Sequence, residues 1–214
     1  MLDLDKDDYV ARLFPTLVYK FGKYGKVSSN VFDCSKELEM LYDNQGNYTT
    51  ENSYILDLPH YKLIKDRIME GLKIYTQKVL GLKPYNFYIT QSWVNVTIPN
   101  GYHHEHKHAN SIISGVYYID CGEGLTESET AFSNPNPATL GGSDIWALLI
   151  DQLTTSNSRE WVLPASNNDI IYFPSALGHS VKCNQAKTNR ISLSFNTFIK
   201  GTIGNKLRLS ELKL

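Results

Sequence analysis

The chain has 214 residues, 42% of them hydrophobic and 20% charged, which excludes wholesale disorder and allows a sizeable core. Lys and Arg number 21 against 22 Asp and Glu, so the net charge is -1 and a phosphate-driven nucleic-acid binder is disfavoured. No apolar run approaches the ~20 residues of a membrane helix, so no membrane partner is expected. The acidic opening MLDLDKDDYVARLF lacks the order of a signal peptide. Cys34, Cys121 and Cys183 form no CxxC pair and read as reduced thiols of a cytoplasmic protein.

In chain order, residues 13–21 (LFPTLVYKF) predict an opening strand broken by Pro15. Residues 43–53 are polar and Gly/Asn/Thr-rich and predict a loop. Ile64, Ile68, Leu72, Tyr75 and Val79 then recur every three or four residues. This predicts a helix over 61–80, with Asp57 as its cap, Pro59 in its first turn and Gly81 as its stop. The apolar stripe suits packing against a sheet.

From about residue 87 helical periodicity gives way to short strand-like runs. They cover 87–98, 111–120, 129–133, 159–165, 169–175, 180–183 and 190–199. Such runs, punctuated by Gly, Pro and Asn, indicate an all-β sandwich or barrel with flanking helices. No repeat or linker marks a second domain, so 1–214 is read as one unit: a helix-containing support region over 1–90 and a β core over 91–200. Alternation assigns faces. Ile191, Leu193 and Phe195 share one side of their strand; Arg190, Ser192, Ser194 and Asn196 share the other. Trp93, Asn95 and Thr97 oppose Val94 and Val96. The polar faces fit either a solvated surface or the lining of a barrel cavity.

Four of the six histidines fall within His103–His108 (HHEHKH). In an extended chain i and i+2 point the same way, so His104/His106, His106/His108 or His103 with Glu105 could aim two ligands at one point. His179 is the remaining downstream histidine. Two neighbouring ligands plus a distant one can assemble an open three-ligand iron or zinc site; the bland alternative is a solvated, pH-sensitive loop. Arg190 follows His179 by eleven residues and shares a strand face with Ser192, an arrangement suited to a carboxylate.

These blocks resemble a 2-oxoglutarate/iron(II)-dependent oxygenase family of bacteria and phages related to the prolyl hydroxylases. The resemblance rests on His106-Lys107-His108-Ala109-Asn110-Ser111 followed by Ser114-Gly115-Val116-Tyr117-Tyr118. It extends to Ser92–Val96, to residues 169–181 (DIIYFPSALGHSV), to Arg190–Asn196, and to Leu13–Thr16 and Tyr54–Pro59. It implies a double-stranded β-helix, a cupin-like jelly roll of about eight strands. It also implies iron(II) held by His106, His108 and His179, with 2-oxoglutarate as cosubstrate. Arg190 and Ser192 would bind its far carboxylate, Tyr118 would assist, and Asn95 and Asn196 would be inward polar contacts. The implied activity is a dioxygenase, hydroxylating an unidentified substrate with dioxygen and releasing succinate and carbon dioxide. Three departures stand out: His108 where the wider superfamily usually has a carboxylate, Ala109 for a proline, and Asn167-Asn168 where a glycine is common. Three neutral imidazoles leave the site one negative charge short, and Glu105 is a rival ligand.

Rival readings are a cupin-like three-histidine enzyme needing no keto acid, a non-catalytic jelly roll with a binding or virion role, and a surface zinc or nickel trap at HHEHKH. The loop from Asp120 to Gln152 is expected to cover the barrel mouth and help select the substrate, with Trp146 and Leu148–Ile150 either inserted into that mouth or anchoring the loop. The sequence leaves the oligomeric state open, a homodimer included.

Overall fold

The computed structural model describes residues 14–22, 37–39, 41–123, 128–136 and 149–214. Eight successive strands build the core: β4 (Asn86–Thr97), β5 (His103–His106), β6 (Ile113–Asp120), β7 (Ser128–Ser133), β8 (Glu160–Ala165), β9 (Ile170–Pro174), β10 (His179–Val181) and β11 (Arg190–Lys200). Four of them, in the order β9-β6-β11-β4, form the centre of a seven-stranded sheet; β5-β10-β7-β8 form the second sheet. The pairings within these two groups are antiparallel. This is the jelly-roll, double-stranded β-helix architecture.

The larger sheet is completed by strands from the first 90 residues. β1 (Tyr19–Phe21) pairs with β9, and the hairpin β2 (Leu41–Asp43) and β3 (Tyr48–Thr50) pairs through β3 with β4. Both faces of this sheet are buried, for different reasons. Val94, Tyr117, Ile170, Tyr172, Leu193 and Phe195 meet Ile64, Ile68, Leu72 and Tyr75 of the helical layer. The opposite face carries Val116, Tyr118, Ile171 and Phe173 into a smaller cluster with Phe132, Ala165 and Leu177 between the sheets. Beside that cluster the inner face turns polar: Asn95, Thr97, Arg190, Ser192, Ser194 and Asn196 are all buried. The alternation seen in the sequence therefore lines a cavity, and the solvated-face alternative is excluded.

The helix α1 spans Lys62–Ile74 and continues as a π turn over Tyr75–Val79 before Gly81 takes a φ of 66°. Its one internal glycine, Gly71, sits where a Cβ would overlap the Tyr172 hydroxyl, which itself donates to Ile68 O. Asp57 does not cap α1. Short 3-10 turns at Ile55–Asp57 and Pro59–Tyr61 precede the helix, its first residue follows Tyr61 with no side-chain cap, and Asp57 instead accepts from Lys65 Nζ at 2.7 Å.

The polar segment 43–53 is loop at 44–47 and 51–53, as expected, but it also contains the end of β2 and all of β3. Its strands lack apolar alternation, and side-chain bonds to β4 hold them instead. Thr49 Oγ1 donates to Asn95 Oδ1 at 2.6 Å, and Val94 N donates to Thr50 Oγ1 at 3.1 Å. The opening strand is shorter than its apolar run, with only Tyr19–Phe21 pairing. Of the sequence expectations, Leu13, Cys34 and Trp146 lie outside the described residues, as do 124–127 and 137–148 of the proposed mouth-covering loop. Cys121 and Cys183 are reduced thiols, and Cys121 Sγ donates to Ala165 O at 3.4 Å.

Candidate metal centre and cosubstrate pocket

The HHEHKH segment supplies β5, and β5 pairs with β10 so that His106 stands directly opposite His179. Cross-strand partners project to the same side, so both rings enter the space between the sheets. The next pair in register is His103 with Val181; three residues of β5 thus span two of β10. That extra residue re-aims the side chains, which is how a bulge serves a site. It lets His103 and His106 line the same cavity, although simple i, i+2 parity separates them.

His108 lies past the end of β5, held by its backbone N donating to Ser175 O at 3.0 Å. Its ring packs 5.6 Å from Trp93. His106, His108 and His179 present one donor atom each, all within 4.8 Å of one another, and His108 Nε2 lies 3.3 Å from His179 Nε2. His103, His104 and His106 make a second such group, while Glu105 is exposed and belongs to neither.

Hydrogen bonds set the tautomers. His106 Nδ1 donates to His104 O at 2.8 Å and His179 Nδ1 donates to Leu177 O at 3.0 Å. Since a carbonyl only accepts, both protons sit on Nδ1 and both Nε2 lone pairs are free. Burial, reinforced by neighbouring imidazoles, lowers His179 to about 3 and His108 to about 4; His106 is also lowered by burial. All three are therefore neutral near pH 7, the form that ligates. Two ligands about 2.1 Å from a cation and at right angles lie roughly 3 Å apart, so the Nε2 pair already approaches the spacing of neighbouring ligands. Phe173 packs 4.6 Å from the His179 ring and fixes its plane from behind. The donor set fits a divalent first-row metal.

On the sheet facing the histidines, the cavity is lined by Trp93, Asn95, Arg190, Ser192 and Ser194, with Asn47 contributed by the β2–β3 turn. Arg190 is 4% exposed; burial pulls its guanidinium below its usual range, and it lies over the Tyr118 ring at 5.3 Å. Tyr118 is opposite Ser192 in register, and its hydroxyl, kept protonated by burial, is 2.6 Å from Thr130 Oγ1.

Residues 91–196 match the family model described as "Putative 2OG-Fe(II) oxygenase". The protein is an iron(II)- and 2-oxoglutarate-dependent dioxygenase. Solved structures with the same fold include a 2OG-Fe(II) oxygenase-family oxidoreductase from Burkholderia pseudomallei, at 13% identity and TM-score 0.54 over 84% of this chain and 83% of that one. HygX from Streptomyces hygroscopicus, crystallised with nickel, 2-oxoglutarate and hygromycin B, aligns at 9% identity and TM-score 0.57 over 85% and 82%. A Pseudomonas putida prolyl-4-hydroxylase aligns at 13% identity and TM-score 0.55 over 87% and 94%. No curated protein sequence matches the chain.

The site residues expected of the dioxygenase fall into two groups. His106, His179, Arg190, Ser192 and Asn95 line one cavity, with His108 beside His179 and Tyr118 beneath Arg190. Asn95 is braced, accepting from Thr49 and donating from Nδ2 to Ser194 Oγ at 2.9 Å. Asn196 stands apart: its Oδ1 accepts from Ser114 Oγ at 2.7 Å within a network reaching Ser175 and Ser111. Asn168 takes a φ of 74° in the turn where a glycine is common. Trp93 was legible on the inward face of its strand. His103 was a candidate only in a pair with Glu105, and its place beside His106 needed the bulge; Asn47 needed the hairpin and left no sequence signal.

Proposed function

We propose that His106, His108 and His179 hold the iron(II), and that Arg190 and Ser192 hold the far carboxylate of 2-oxoglutarate. The observation that carries this reading is the pairing of three neutral imidazoles on one side of a cavity with a buried guanidinium on the other. When bound, the iron and its keto acid supply the oxidative chemistry, converting 2-oxoglutarate and dioxygen to succinate, carbon dioxide and an oxidised substrate.

The chain's own residues orient and exclude. Leu177 O and His104 O fix the ring planes of His179 and His106. Arg190 offers a planar pair of donors, and the desolvated setting strengthens its bond to an anion. Tyr118 supports the guanidinium from its ring face. Asn95 orders Ser194 on the cavity wall, while Asn196 ties the serine network beneath β6.

The oxidation is read as hydroxylation, and the chain is placed in the bacterial and phage branch related to prolyl hydroxylases, on the H-x-H and R-x-S spacing. Residues 1–90 are read as support for a single domain centred on 91–200. Reduced thiols and balanced charge suit a cytoplasmic enzyme that avoids nucleic acid. Anaerobic crystallography with manganese(II) and 2-oxoglutarate tests the assignment. It is expected to show the three imidazoles on one ion and Arg190 on the distal carboxylate; a metal on His103, His104 and His106 would overturn it.

A further inference from the structure

The β2–β3 turn places Asn47 in the wall of the cavity, 1% exposed, with neither Oδ1 nor Nδ2 making a hydrogen bond. The turn is rigidly seated: Asn44 N donates to Asn47 O at 2.8 Å, and Tyr102 N donates to Gly46 O at 3.0 Å. A buried carboxamide with four unused bonding directions costs free energy unless something in the cavity satisfies it. Thr97 repeats the pattern, fully buried with an unpartnered Oγ1.

These two residues fall in line with Arg190. Arg190 pairs with Thr97 in the β11–β4 ladder. β3 pairs with β4 as Thr49 with Asn95 and Tyr48 with Val96, so continuing the register by one residue sets Asn47 opposite Thr97. All three share the parity of Asn95 and Ser192 and therefore face inward. A row of amide, hydroxyl and guanidinium crosses three adjacent strands: Asn47 and Arg190 line the cavity, and Thr97 stands between them in register. Each member can donate a hydrogen bond.

The geometry points to Asn47 and Thr97 as further binding residues for the distal carboxylate of 2-oxoglutarate, completing a cradle begun by Arg190 and Ser192. This rests on the cosubstrate assignment above. It explains why a hairpin from the N-terminal region, outside the matched residues 91–196, is built into the cavity wall. Asn47 Nδ2 and Thr97 Oγ1 donate to the carboxylate, and Asn47 Oδ1 is left to accept from water.

The test compares two keto acids on the manganese(II)-loaded protein under anaerobic calorimetry: 2-oxoglutarate, and 2-oxobutyrate, which lacks the distal carboxylate. Thr97→Val removes one hydroxyl at constant shape; Asn47→Asp keeps the size and sets a negative charge against the carboxylate. Each is expected to weaken 2-oxoglutarate by about ten- to a hundred-fold, as for hydrogen bonds to charged groups, with 2-oxobutyrate unchanged. Manganese affinity, read in the same titrations, reports that each variant is folded. Equal losses for both keto acids, or no loss for either, would overturn the cradle. If the unaltered protein fails to prefer 2-oxoglutarate over 2-oxobutyrate, the Arg190 assignment itself falls; if only the Arg190→Ala protein loses that preference, the Arg190 assignment stands and the cradle alone falls.

Discussion

The two faces of β11 are buried to nearly the same extent and do opposite work. Leu193 and Phe195, each 0% exposed, press against the helical layer. Arg190, Ser192 and Ser194, between 2% and 9% exposed, line the cavity opposite the histidines. Burial therefore does not distinguish core from site here. The distinction lies in what the buried atoms need: methyl and ring carbons are satisfied by packing, whereas a buried guanidinium or hydroxyl calls for a polar partner.

The sharpest way to break this contrast is through the metal. His179→Ala removes a proposed ligand but little core, so succinate formation should fall beyond the roughly hundred-fold typical of losing an outer partner, while the melting temperature of the metal-free protein barely moves. Retained turnover would show that a different residue completes the site. On the opposite face, Phe195→Ala should cost about 3–5 kcal/mol of stability in denaturant unfolding. The fraction that remains folded should keep its affinity for 2-oxoglutarate. A changed cosubstrate affinity would mean that the two faces are coupled.

Arg190→Ala sharpens the comparison from the inner side. It is expected to weaken 2-oxoglutarate binding by about 1.5–3 kcal/mol with manganese still bound. Unaltered cosubstrate affinity, measured by calorimetry, would refute the anchor. A further effect is on pH. His103, His108 and His179 are held at about 3 to 4 by burial, so the native state stays neutral where the unfolded chain takes up protons near 6.5. Metal-free stability should be complete above about pH 6.5 and fall as pH drops toward 4, because only the unfolded state gains protons there. A flat stability profile across that window would place the rings in solvent.

Much of the barrel was legible because its strands carry their own pattern. The runs at 87–98, 169–175 and 190–199 match β4, β9 and β11 closely, and the parity of Ser192 with Arg190 followed from the pleat alone. The helix was legible from its stripe, but its start was not: Asp57 looked like a cap until two 3-10 turns and the Lys65 contact claimed it. The hairpin at 41–50 was invisible because its stability comes from side-chain bonds to β4, which no local periodicity encodes.

By itself the sequence determined the chemistry available: six imidazoles, four of them crowded into one segment, and an arginine that shares a strand face with serine. Only the tertiary structure decided which imidazoles meet. An unequal count of residues between β5 and β10 turns His103 inward, the register sets His106 against His179, and backbone carbonyls 2.8–3.0 Å from Nδ1 leave the Nε2 lone pairs free. The physical reason is that residue type fixes what an atom can donate or accept, whereas pairing between distant strands fixes where that atom points.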